Sequence, residues 1–112
     1  MTRMAEEKGS AEEREQFKIA VLALDQGCLI HDDPADCDGP IQAHHVIYQQ
    51  HLRRHALHWA CWIAAAGMAV CERGHRRHHN GIEPISRDRI PKRCIRFIEK
   101  QDLTYYLERF YA

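Results

Sequence analysis

The chain has 112 residues, 45% hydrophobic and 29% charged, with sixteen basic and sixteen acidic side chains. That describes one ordinary globular domain with a small core, and its longest mainly apolar run, residues 59–70, is too short to span a bilayer. The neutral total hides a segregation: residues 1–40 carry ten acids and four bases, residues 41–112 six acids and twelve bases, so a basic face toward phosphates is compatible with a neutral whole.

Residues 1–10 are polar and partly acidic and read as a disordered start. They lack the pattern of a signal peptide, so the cytoplasm is the expected location. Ser10 with Glu13 three positions later forms a capping box for a helix over 11–26. Phe17, Ala20, Val21 and Leu24 recur at helical spacing on it, and Gly27 is its expected stop. "DDP" and "DGP" mark residues 28–40 as loop. Residues 41–46 read as a short strand ending in the pair His44-His45, and 48–57 as a short helix or ordered loop. A second short strand is expected at 68–70, then a helix over 72–79 stopped by Asn80-Gly81. Pro84 and Pro91 bracket a loop. Two closing helices follow within 92–111, the second carrying Leu103, Tyr106, Leu107 and Phe110 as a core stripe. The expected class is α+β in a single domain.

Nine histidines and five cysteines are the residues that suggest chemistry. Positions four apart share a helix face, so His75 and His79 can hold one metal ion, while His78 lies off that face and is the weaker candidate. Adjacent strand residues face opposite ways. One of His44 and His45 can therefore bind the metal while the other stays free beside it, joining a Lewis acid to a general base. An odd number of cysteines without secretory context favours metal ligands or buried thiols over disulfides.

The segments "CDGPIQAHHVIYQQHLRR", "GMAVCERGHRRHHNG" and "YYLERFY" together resemble small phage-type HNH endonucleases, and the resemblance runs over residues 28–111. It implies a ββα-metal core over 28–81 with flanking helices. It also implies a metal-dependent cut of double-stranded DNA, with a 5′ phosphate and a 3′ hydroxyl as products. His45 matches the general base, and His44, His75 and His79 match the ligands of one divalent ion (zinc, nickel, manganese or magnesium). Phage packaging or other phage proteins are the implied protein partners, in a bacterial or phage-infected cell. One position departs from the pattern: Ala66 stands where the family has the asparagine that orients the base. A neighbouring group that takes over this work, reduced activity, or a DNA-binding module that has lost catalysis are the alternatives this raises. A third, a structural or partner-binding protein, would need the histidine site to bind no metal.

Members of that family also carry a structural zinc on two C-x-x-C knuckles. Here Cys28 and His31 keep one spacing, Cys71 is a third ligand, and Gly74 replaces the fourth cysteine, with Cys37 available on the same loop. A Cys28/His31/Cys37/Cys71 zinc site is the expectation, and free cysteines in a small core are the alternative. Cys61 and Cys94 read as buried thiols, and His51, His55 and His58 as surface or DNA-facing groups. Arg53, Arg54, Arg73, Arg76 and Arg77 flank the two motifs and are the expected phosphate contacts.

Overall fold

Two five-residue strands, β1 (Ile41–His45) and β2 (Gly67–Cys71), pair antiparallel in a computed structural model that describes residues 10–112. The expected disordered start therefore falls, but for Ser10, outside the described residues. Around the hairpin lie α1 (Ala11–Asp25), α2 (Gln49–Arg54), α3 (Glu72–His79), α4 (Lys92–Lys100) and α5 (Thr104–Phe110), joined by loops and short 3₁₀ turns. The result is a small α+β fold. No described helix is long and apolar enough to cross a membrane.

The caps expected from the sequence set the helix ends. Ser10 Oγ accepts the Glu13 amide and the Glu13 carboxylate accepts the Ser10 amide, both bonds of a capping box. At the other end of α1 the left-handed residue is Gln26, at φ 57°, and not Gly27, which lies at φ 144°. Helix α3 ends at Asn80, and Gly81 takes the left-handed conformation at φ 71°. The apolar stripe of α1 is narrower than its spacing predicts. Phe17 and Val21 are buried, but Leu24 is 59% exposed. The helix expected within 48–57 is confined to Gln49–Arg54. The last helix stops at Phe110, leaving Tyr111 in extended backbone.

All of β2 is buried, and its alternation sorts the core. Met68 and Val70 join the main cluster with Leu52, Ile98, Leu103, Tyr106 and Leu107, while Ala69 packs with Phe17 and Val21 of α1. Small residues on the α1 side let that helix approach: a Cβ at Gly67 would stand 2.5 Å from Phe17 Cζ. Only glycine fits there.

A buried ion pair ties these layers together. The Asp25 carboxylate accepts two bonds from Arg93 at 2.7 and 2.9 Å and a third from the Ala69 amide at 2.8 Å. Arg93 also donates to the carbonyls of Ala64 and Gly67. The Asp25 side chain is 4% exposed and that of Arg93 24%. Removing one partner of such a pair leaves an uncompensated buried charge, which costs about 3–5 kcal/mol. Arg93→Ala is expected to lower the unfolding free energy by about 3 kcal/mol in urea titrations; a loss under about 1 kcal/mol would show that the staple is dispensable.

Candidate metal centre

The register of β1 places the histidine pair. His44 stands opposite Met68 and His45 opposite Gly67, so the two rings leave opposite faces of the sheet. His44 turns toward α3, where His75 and His79 lie one helical turn apart. Ring centroids separate His44 from His75 by 4.9 Å, His44 from His79 by 5.4 Å and His75 from His79 by 4.6 Å. One nitrogen from each of the three lies within 4.8 Å of the others.

The hydrogen bonds around the triad fix which nitrogens are free. Tyr111 Oη donates its single proton to the Val46 carbonyl, so at 2.8 Å it accepts from Nε2–H of His44. The proton of neutral His44 is then on Nε2, and Nδ1 keeps its lone pair. That atom is buried and has no hydrogen-bond partner among the described residues. An orphaned buried acceptor is costly unless something electrophilic meets it, and a metal ion is such a partner. His75 is handled the same way. Its Nδ1 donates to Gln42 Oε1 at 2.7 Å, which leaves Nε2 as the ligating atom. Gln42 shares a strand face with His44, two residues away. These outer partners hold ligands in one tautomer, as metal-binding histidines require.

His78 is excluded as a ligand by its own bonds. Nδ1 accepts the Ile85 amide at 2.9 Å, and Nε2 is engaged with Tyr48 Oη at 3.2 Å. Its ring is buried and anchors the loop after α3.

His45, on the opposite face, is held by other groups. Nε2–H donates to the Cys61 carbonyl at 2.6 Å. Phe17 stacks on the ring at 4.6 Å and 15°, and Trp62 meets it edge-on at 5.4 Å. Nδ1 therefore carries the lone pair and looks into a cleft of about 620 Å³ lined by Tyr48, Gln49, Gln50, Arg53, His75 and His79. Gln49 Nε2 donates a long bond to Nδ1 at 3.5 Å, and Gln49 Oε1 accepts from Arg53 at 2.9 Å. With alanine at position 66 the ring still has an orienting partner, the Cys61 carbonyl, which is the neighbouring-group alternative. Ala66 itself is buried in a 3₁₀ turn, and its carbonyl accepts the Val46 amide.

Burial keeps these rings neutral. It holds His44 well below the usual imidazole range, with His75, His78 and His79 adding to the effect. Burial, then the neighbouring imidazoles, brings His75 down to about 4, and burial lowers His79. His45 is lowered by burial against the raising effect of the Cys61 carbonyl. At neutral pH the lone pairs are free for a cation and for a proton.

A second cluster lies at the other end of the hairpin. The Sγ atoms of Cys37, Cys71 and Cys28 stand 3.4, 3.7 and 3.8 Å from His31 Nδ1, and the four residues can hold a metal ion. The Cys71 amide donates to Cys28 Sγ, and the Gly74 amide to Cys71 Sγ. A Cβ at Gly74 would fall 2.8 Å from Ile30 Cδ1 and 3.5 Å from the His31 ring. The space of the missing knuckle cysteine is thus closed, and Cys37 supplies the fourth ligand position. Burial pushes the Cys37 thiol up to about 12, with Cys28 and Cys71 adding to the rise. Against burial, bonds from the Gly74 and Asp38 backbone and from Cys37 and Cys28 lower the Cys71 thiol; a cation bound by the cluster would require its thiols to ionise. Cys61 and Cys94 are buried as expected, and Cys94 donates to the Gly67 carbonyl.

The arginines divide. Arg53 lines the cleft beside His45, whereas Arg54, Arg73, Arg76 and Arg77 do not; Arg76 pairs with Glu72 on the exposed side of α3. His51 packs against Tyr106, His55 bonds Tyr105 Oη, and His58 is exposed. Tyr111, Gln42 and the Cys61 carbonyl were not foreseen from the sequence. They act across 67, 33 and 16 residues of chain, a range over which no local spacing carries a signal. No family model, curated protein or solved structure matches the chain.

Because Tyr111 fixes the His44 tautomer, Tyr111→Phe is expected to weaken cation binding at the triad by about 10–100-fold, the usual cost of losing an outer partner. Isothermal titration with Zn²⁺ or Mn²⁺ reads this directly, and unchanged affinity would show that His44 is held by packing alone.

Proposed function

We propose that this protein is a metal-dependent DNA endonuclease of the HNH type, with His44, His75 and His79 holding one divalent ion and His45 acting as general base. The observation that carries the reading is the pairing of a three-imidazole cluster, whose most buried member has an unpartnered Nδ1, with a free imidazole held beside it. Three nitrogen donors with positions left open suit Zn²⁺, Ni²⁺ or Mn²⁺ better than Mg²⁺, which prefers oxygen. When bound, the ion supplies charge stabilisation to the phosphate and the leaving oxygen.

The residues do the rest. His45 Nδ1 takes a proton from water in the cleft while Cys61 holds Nε2–H, so the ring accepts at one nitrogen only. The hydroxide so formed attacks phosphorus, the bond to the 3′ oxygen breaks, and that oxygen takes a proton from water, leaving a 5′ phosphate and a 3′ hydroxyl. Arg53, at the cleft wall, is placed to meet a phosphate oxygen. The Cys61 bond supports this reading over the one in which Ala66 marks lost catalysis, since it holds the base in the tautomer the chemistry needs.

The test is nicking of supercoiled plasmid with each divalent ion in turn. His45→Ala is expected to slow cleavage by about 10²–10⁴-fold with metal affinity kept. Ala66→Asn is expected to leave the rate within about threefold, since the bond His45 already makes fixes its tautomer, and to lower stability by crowding a buried site. A His45→Ala protein that cuts like its parent would overturn the assignment of the base.

For the second cluster we propose a structural Cys₃His zinc. Zn–S of about 2.3 Å and Zn–N of about 2.0 Å at tetrahedral angles put sulfur and nitrogen about 3.5 Å apart, which the three separations of 3.4, 3.7 and 3.8 Å match. Such an ion contributes folding free energy directly. Cys71→Ser is expected to lose one equivalent of zinc by elemental analysis and to melt far below Cys94→Ser; equal melting of the two would favour plain core thiols.

A further inference from the structure

Helix α1 comes from the acid-rich part of the chain, yet its charges are sorted by face. Its two basic residues, Arg14 and Lys18, sit one turn apart on the turns that carry Phe17, the residue stacked on His45. Both are exposed. Together with Phe17, Gln42, His45 and His75 they line a second cleft of about 370 Å³, which shares His45, Gln49 and His75 with the larger one. Three of its four acids are engaged elsewhere: Glu12 and Glu13 face a separate cleft beside Trp59 and Trp62, and Asp25 is held by Arg93. The fourth, Glu15, is exposed and lines neither cleft at His45.

We propose that α1 is the second wall of a DNA channel, in which Arg14 and Lys18 hold the phosphates on one side of His45 while Arg53 of α2 lies on the other. This rests on the endonuclease reading and extends it, since neither residue belongs to the histidine motifs. Two clefts that meet at the base form one continuous groove, and a strand presenting a phosphate to His45 has to leave it in both directions. One direction passes α2. The other passes α1, where Arg14 and Lys18 are the cations that line the cleft among the described residues. The closeness of the helix, secured by Gly67 beneath Phe17, brings them to the groove.

Each phosphate neutralised on duplex DNA adds about 0.9 to the steepness with which log affinity falls with log salt. In a His45→Ala background, which keeps the metal ligands, the double variant Arg14→Ala/Lys18→Ala is expected to lower that slope by about 1.8. Affinity for a short duplex should fall by about tenfold or more at about 0.1 M salt. The control Arg96→Ala/Lys100→Ala removes equal charge from an exposed site on α4, away from the groove, and should leave the slope unchanged. The swap Arg14→Lys/Lys18→Arg keeps the charges and should keep the slope, which separates lost contact from damaged folding. Equal losses in the two alanine doubles, or none in the first, would overturn the proposal while plasmid cleavage by the unsubstituted chain still upheld the endonuclease. A chain that neither binds nor cuts DNA would overturn both.

Discussion

Everything at the candidate centre depends on one constraint, the alternation of a β-strand at its last two residues. Pairing with Met68 and Gly67 turns His44 inward to α3 and His45 outward to α1. A register slip of one residue would exchange the two rings and bury the base among the ligands. The slip is blocked because the faces of β2 differ: Met68 and Val70 belong to the large core, Gly67 and Ala69 to the thin seam under α1. The arrangement of ligand on one side and base on the other is thus a consequence of side-chain volume in the partner strand.

A buried polar chain then carries the ligand geometry through the molecule. His78 accepts the Ile85 amide, the Ile85 carbonyl accepts the Ala112 amide, and the neighbouring Tyr111 hydroxyl joins His44 to the Val46 carbonyl. Each link satisfies a group whose burial would otherwise be costly. The sequence after α3 therefore does more than close the core. It determines the free nitrogen of a histidine that lies 67 residues earlier.

Local elements were legible in the sequence because their signals are local. Ser10 with Glu13, Asn80 with Gly81, and Pro91 mark helix ends through bonds made within a turn, and α3 lies where His75 and His79 required it. Both clusters that could hold a metal ion were legible, the histidine one from spacing and alternation and the cysteine one from the resemblance. What spacing could not give is the orientation of each ring. Ala66 suggested an unsupported base because the resemblance supplies a side-chain partner at that position, whereas here a main-chain carbonyl serves, and carbonyls leave no trace in composition. Arg73, Arg76 and Arg77 adjoin the histidines in sequence, but a helix turns neighbouring residues through about 100°, and none of the three lines the cleft at His45. Arg14 and Lys18 were hidden in an acidic segment whose net charge says nothing of its faces.

The central claim is that one cation sits between His44, His75 and His79 while His45 stays unligated. Anomalous diffraction from crystals grown with Mn²⁺ tests it most directly, recorded on either side of the manganese absorption edge. The account predicts a manganese peak within about 2.3 Å of His44 Nδ1 and His75 Nε2, at a ligand distance ordinary for imidazole, with His45 Nδ1 open to the cleft. A peak ligated by His45, or none at the triad in crystals that hold metal elsewhere, would contradict it.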